Sequence, residues 1–76
     1  MPPRATSHPY LKRVGARIRE LREAKGWTQE RLAAEAEVDR SYAHGLEQGR
    51  RNITVLKLRD IVRALGVDMS VFFDME

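Results

Sequence analysis

The chain has 76 residues, a net charge of +3 and no cysteine, which allows one small domain and excludes a disulfide framework or a zinc finger. No apolar run reaches the roughly 18 residues of a membrane span, and the first ten residues lack the apolar stretch of a signal peptide. We therefore expect a soluble, cytoplasmic protein whose small core favours association with a second chain.

The first helix is predicted over residues 9–25, after an N-terminal arm. Prolines are frequent at the start of the chain and apolar periodicity is lacking, which predicts a flexible arm over residues 1–8. From residue 9 onward, apolar residues recur at steps of three and four, as on one face of a helix, at Leu11, Val14, Ile18 and Leu21. Gly26 follows as a helix stop. We assign residues 9–76 to a single domain.

Four further helices are predicted over residues 28–36, 39–48, 54–65 and 68–73. Each begins at a residue type that caps helix N-termini, namely Thr28, Asp39, Thr54 and Asp68. An apolar residue precedes each cap and can pack on another one five positions later, and no alternating pattern indicates a strand. The predicted fold is therefore all-α with five helices. The expected core partners of the first helix are Leu32, Ala33, Ala36, Val38, Ala43, Leu46, Val55, Leu58, Ile61, Val62 and Leu65.

The charge alternates in sign along the chain. Net charges are +5 for residues 1–27, −3 for 28–39, +4 for 40–59 and −3 for 60–76. Two basic segments separated by an acidic one indicate a polarised surface that attracts a polyanion on one side. Ordinary solvated helix faces are the alternative explanation.

Helices two and three are predicted to form a helix-turn-helix, because only Glu37 and Val38 separate them and so short a connection makes helices cross steeply. Helix three then exposes one polar row, consisting of Arg40, Ser41, His44 and Gln48. Such side chains suit the reading of base edges in a major groove. Phosphate contacts are expected from flanking groups: Thr28 and Gln29 before this helix, and Gln48, Arg50, Arg51 and Asn52 at its end and after it.

Gly45 lies inside helix three, where glycine costs about 1 kcal/mol relative to alanine. We interpret it as a position turned toward the DNA, where the missing side chain lets the helix lie closer to the groove.

The segment Arg17 to Val67 resembles the helix-turn-helix domain of phage repressors and Cro-like proteins. Within that family, "RSYAHGLE", "RRN" and the Phe72-Phe73 pair are most similar to the controller proteins of restriction-modification systems. The resemblance implies a lambda-repressor-like fold and a homodimeric transcription regulator that binds a roughly palindromic operator. Such a dimer reads half-sites about one helical turn, or about 34 Å, apart.

The resemblance also implies roles for particular residues. Base contacts would come from Arg40, Ser41, Tyr42 and His44, and phosphate contacts from Gln29, Arg51 and Asn52. Arg22 would form a buried ion pair with Glu47. Glu37 departs from the family, which often has glycine there, so we expect a strained backbone angle at a cost of about 1 kcal/mol. His44 replaces a common serine, which leaves the base preference open.

The end of the chain carries more apolar side chains than one small core is expected to absorb. We assign them to the dimer surface, with one phenylalanine pointing inward and the other toward the partner. This set comprises Val67, Met69, Val71, Phe72 and Phe73. The alternative is that all five belong to the monomer core.

Enzymatic activity has little support in the sequence. We find no pairing of a nucleophile with a base and no glycine-rich phosphate loop, and His8 and His44 are far apart. We therefore expect no catalytic residues, metal, cofactor or small-molecule ligand, and double-stranded DNA as the partner. An antitoxin of a toxin-antitoxin pair and a phage-type repressor are the alternative functions.

Overall fold

A computed structural model describes residues 8–75, so most of the predicted N-terminal arm lies outside the described residues. Those residues form five helices and no strand, which confirms the all-α prediction. The helices are α1 (Pro9–Ala24), α2 (Gln29–Ala36), α3 (Arg40–Glu47), α4 (Val55–Ala64) and α5 (Met69–Phe72). The predicted ranges were about one residue longer at the ends because they counted the capping residues as helical. Within residues 8–75, no helix is long and apolar enough to cross a membrane.

The predicted caps start four of the helices. The side chains of Thr28, Asp39, Thr54 and Asp68 each accept a hydrogen bond from the backbone N–H three residues later. At Asp68, the bond from the Val71 N–H and a second one from the Ser70 hydroxyl lower the pKa of the carboxyl. These bonds satisfy N–H groups that have no partner inside a helix. The start of α1 has a cap that the sequence did not indicate, the Nδ1 atom of His8, which lies 3.0 Å from the Tyr10 N–H.

The turn after α2 contains the strained residue that the sequence predicted. Glu37 has φ 61° and ψ 45°, and it is the one non-glycine residue with positive φ among residues 8–75. The turn closes α2 through hydrogen bonds from the Glu37 N–H to the Ala34 carbonyl and from the Val38 N–H to the Ala33 carbonyl. These bonds satisfy the last carbonyls of the helix and hold a side-chain-bearing residue in a left-handed conformation.

The core is built from buried side chains of all five helices. Its buried members are Val14, Ile18, Leu32, Ala36, Leu46, Leu58, Ile61, Val62, Leu65 and Phe72. The prediction was wrong at Val55, which is 74% exposed. Val55 lies in the first turn of α4, and Ile53, just before the helix, packs against the core instead.

Candidate nucleic-acid interface

Helices α2 and α3 pack against each other across the three residues 37–39, as a helix-turn-helix requires. The close approach is possible because Ala33 on α2 and Ala43 on α3 are small and buried. Helix α3 turns Leu46 into the core as well. Its opposite side is exposed and carries Arg40, Ser41, His44 and Gln48, which is the polar row predicted from the sequence.

The start of the polar row is free to engage a ligand. Gln29, Arg40, Ser41 and His44 together line a shallow depression. The Nε atom of Arg40 is 3.9 Å from an exposed carboxylate oxygen of Glu30, which is a weak contact, and the Ser41 hydroxyl is 3.4 Å from Asp39. Neither contact is strong enough to hold the side chain away from a better partner. The guanidinium and hydroxyl groups can therefore donate hydrogen bonds to base edges.

Tyr42 joins α3 to the loop that follows the helix. Its half-buried ring packs on the core, its hydroxyl donates to the Asn52 carbonyl at 3.4 Å, and the guanidinium of Arg51 stacks 4.8 Å from the ring centroid. Arg50 and Asn52 are exposed on the same loop. The ring thus positions a basic loop beside α3, and its contact with bases stays a prediction.

The prediction that Gly45 faces the DNA and lets the helix lie closer to the groove is wrong. Gly45 is buried, and a Cβ atom at this position would lie 2.6 Å from Cγ and 3.3 Å from Cδ of Arg51. The space beside the glycine is therefore occupied by the aliphatic part of the Arg51 side chain. Gly45 lets Arg51 cross over the helix and reach Tyr42, which ties the conformation of the loop to α3.

The ion pair between Arg22 and Glu47 is present and buried. The Arg22 Nε atom lies 2.6 Å from Glu47 Oε2, Nη2 lies 3.1 Å from Oε1, and Nη1 donates to the Trp27 carbonyl at 2.7 Å. The Glu47 side chain is 1% exposed. The hydrogen bond to Glu47 raises the pKa of Arg22, although burial acts in the opposite direction. This bidentate pair fastens α1 to α3 and so orients the helix that carries the polar row.

Gln29 has two partners that the sequence did not indicate. Its Nε2 atom donates to Glu47 Oε1 at 3.0 Å, and its Oε1 atom lies 3.1 Å from Nδ1 of His44. These residues are 15 to 18 positions apart and meet only because α2 and α3 cross. Thr28, the other predicted phosphate contact at this helix start, uses its hydroxyl to cap the Arg31 N–H at 3.0 Å. The phosphate contacts of both residues stay predictions.

The five residues assigned to a dimer surface have different environments. Phe72 is 0% exposed, so it is the phenylalanine that points inward, as expected for one of the pair, and its inclusion in the dimer surface is wrong; the short helix α5 turns this ring into the core. Val67 and Met69 are partly buried against that core. Val71 and Phe73 are exposed, by 46% and 39%, and their place at a dimer surface stays a prediction.

Helix α5 is held in place by α1. Arg17 donates hydrogen bonds to the carbonyls of Val71 at 2.7 Å and Phe72 at 2.8 Å, the last two residues of α5. The ring of Phe73 packs edge-on against Phe72 with 5.0 Å between centroids. Two further large apolar residues, Val55 and Leu56 at the start of α4, are 74% and 65% exposed, and neither was expected on a surface from the sequence.

Comparison with known proteins identifies relatives across most of the chain. A model of the helix-turn-helix family matches residues 18–72. The uncharacterized HTH-type transcriptional regulator y4dJ of Sinorhizobium fredii is 45% identical over 56 residues, which cover 74% of this chain and 73% of that protein. Control protein C.MunI of a Mycoplasma species is 36% identical over 66 residues, 84% of this chain and 89% of that protein.

Solved structures of controller proteins have the same fold. The crystal structure of the restriction-modification controller protein C.Esp1396I, a tetramer in complex with its natural 35 base-pair operator, superposes with a TM-score of 0.84 and 40% sequence identity. The match covers 90% of each chain. These similarities confirm the resemblance to controller proteins and the five-helix fold predicted from the sequence.

Proposed function

The chain belongs to the helix-turn-helix family of transcription regulators, and we propose that it is a restriction-modification controller that binds operator DNA as a homodimer. One observation carries the proposal: α3 exposes Arg40, Ser41 and His44 together on one side. A helix presented in this way fits the width of a major groove and offers donors and acceptors to base edges. Catalysis has no part in this activity, and we place it in the cytoplasm.

The surroundings of α3 fit a contact with the DNA backbone. Arg50 and Arg51 follow the helix, and the N-terminus of α2, with Thr28 and Gln29, lies next to it. Helix N-termini and arginines attract phosphates, and such contacts fix the register of a protein on the duplex without reading sequence. Base contacts in this proposal come from Arg40, Ser41, Tyr42 and His44. Phosphate contacts come from Thr28, Gln29, Gln48, Arg50, Arg51 and Asn52.

Exposed apolar side chains support a homodimer. Val71 in α5 and Phe73 just after it, and Val55 and Leu56 at the start of α4, cost free energy in water and would gain from burial against a second copy. Two-fold symmetry then places the two α3 helices on a roughly palindromic operator, with half-sites about 34 Å apart. The proposed unit of DNA binding and dimerisation is a single domain over residues 9–76.

The test compares two arginine variants on a series of operator sequences selected from a random DNA pool. Arg40→Ala should weaken binding to the selected site by about 1–3 kcal/mol and remove the preference at one base pair. Arg50→Ala, the control on the basic loop, should weaken all sequences about equally and reduce the salt slope by about 0.9. Equal effects of both variants on every sequence would contradict the assignment of α3 to base reading.

A further inference from the structure

A chain of hydrogen bonds runs from the buried ion pair to the surface of α3. Arg22 on α1 holds both carboxylate oxygens of Glu47, and Glu47 Oε1 accepts a third bond from Gln29 on α2. The other end of the Gln29 amide faces Nδ1 of His44 at 3.1 Å. His44 is exposed and lines the same depression as Arg40 and Ser41. This series of hydrogen bonds therefore connects the interior of the domain with a predicted base-reading side chain.

The chemistry of Glu47 determines which group donates and which accepts in each of these hydrogen bonds. Arg22 is always charged, and its counter-charge Glu47 is a carboxylate that can only accept hydrogen bonds. The NH₂ group of Gln29 must therefore point toward Glu47, which turns the amide oxygen toward His44. An amide oxygen also only accepts, so Nδ1 of His44 has to carry a proton.

We propose that Gln29 holds neutral His44 in the tautomer protonated on Nδ1, so that Nε2 is presented to DNA as a hydrogen-bond acceptor. The buried ion pair thereby acts on specificity: it fixes the Gln29 amide, and the amide fixes which ring nitrogen of His44 is free. Gln29 is a positioning residue in this arrangement, and His44 is the residue that touches the base.

The consequence for base preference rests on the proposed function. In the major groove an acceptor pairs with an amino group, which is N4 of cytosine or N6 of adenine, whereas guanine and thymine present O6, N7 and O4 acceptors. His44 should therefore favour cytosine or adenine on the strand that it faces. A single hydrogen bond of ordinary strength corresponds to a preference of about fivefold.

Nuclear magnetic resonance on the ¹⁵N-labelled free protein tests the tautomer without DNA. At about pH 8, where histidine side chains are neutral, long-range ¹H–¹⁵N correlations show which ring nitrogen carries the proton. His8 is an internal reference, because its Nδ1 accepts the Tyr10 N–H and its proton must lie on Nε2. The two histidines should show opposite tautomers, and the same tautomer on both would overturn the proposal.

The variant Gln29→Met removes the amide and keeps the length of the side chain. We expect a large share of His44 to shift to the Nε2-protonated tautomer, while His8 is unchanged. If His44 keeps its proton on Nδ1 in a folded Gln29→Met protein, Gln29 does not hold the tautomer and the proposal is wrong. If the variant fails to fold, the comparison of His44 with His8 in the unaltered chain decides.

Selection of DNA sequences then tests the base preference. The base pair that His44 reads is the one at which His44→Ala loses its preference. At that position the unaltered chain should enrich one base pair by about fivefold, and Gln29→Met should lose this enrichment. Replacing the amino group of the cytosine or adenine in that pair by hydrogen should weaken binding of the unaltered chain about fivefold, and an unchanged affinity would overturn the acceptor role. Absence of any DNA binding would refute the proposed function, and the tautomer measurement would still stand by itself.

Discussion

Gly15 in α1 and Gly45 in α3 are both buried glycines inside helices, but different kinds of atoms fill the space beside them. A Cβ at Gly15 would collide with the backbone carbonyl oxygens of Leu46 and Glu47, the latter at 2.8 Å. A Cβ at Gly45 would meet the side chain of Arg51 at 2.6 Å. Helix α3 is thus pressed against the backbone of α1 on one side and covered by a flexible side chain on another.

The difference indicates which contacts set the position of α3. Backbone atoms of packed helices cannot move aside without separating the helices, whereas an arginine side chain can adopt another rotamer. The contact through Gly15 and the Arg22–Glu47 pair therefore act together as a rigid attachment of α3 to α1. The contact between Gly45 and the Arg51 side chain sets the position of the loop after α3. It does not fix the position of α3 itself.

Breaking the charge pair of the rigid attachment should have the largest effect. Glu47→Gln keeps the shape of the side chain and leaves the buried charge of Arg22 with only the exposed Glu23 carboxylate at 3.8 Å, which we expect to cost about 3–5 kcal/mol of unfolding free energy. Urea denaturation followed by circular dichroism measures this. The control is Glu35→Gln, whose 43% exposed side chain pairs with Arg31, and which should change stability by less than about 1 kcal/mol. Similar losses for the two variants would mean that burial adds nothing to the pair.

The second prediction concerns the backbone contact at Gly15. Gly15→Ala should lower the unfolding free energy by about 2–3 kcal/mol, even though alanine is the better helix former, because α1 and α3 must move apart to admit the Cβ. The same urea denaturation measures the loss. A variant as stable as the unaltered chain would show that the two helices are not in rigid contact.

Features that depend on neighbours in sequence were predictable. The caps at Thr28, Asp39, Thr54 and Asp68 each involve a bond across three residues, so a single sequence contains all the information needed. The exposed polar row of α3 was predictable because the helical period places its members on one side of the helix. The left-handed backbone at Glu37 followed from comparing the chain with its family.

Features that depend on how helices cross were not predictable. Nothing in the sequence distinguishes Gly15, which admits the backbone of α3, from an ordinary small residue on α1. The bonds of Gln29 to Glu47 and His44 have the same origin in the crossing of α2 and α3. Phe72 and Phe73 are adjacent, and the orientation of a helix as short as α5 decides which ring is buried.

The smallest effect is expected at the adjustable contact. Gly45→Ala should change the unfolding free energy by less than about 0.5 kcal/mol, because the gain in helix propensity of up to about 1 kcal/mol is offset when Arg51 moves off the ring of Tyr42. A loss as large as that of Gly15→Ala would remove the distinction between the two glycines.

A double-mutant cycle sharpens this last prediction. When Arg51→Ala is already present, the space beside Gly45 is empty, so adding Gly45→Ala should stabilise the fold by the full helix propensity of about 1 kcal/mol. The difference between the effects of Gly45→Ala with and without Arg51 measures the coupling of the two residues, and we expect about 0.5–1 kcal/mol. Strict additivity would show that the alanine methyl group and the Arg51 side chain do not compete for one space, and Gly45 would then need a different explanation.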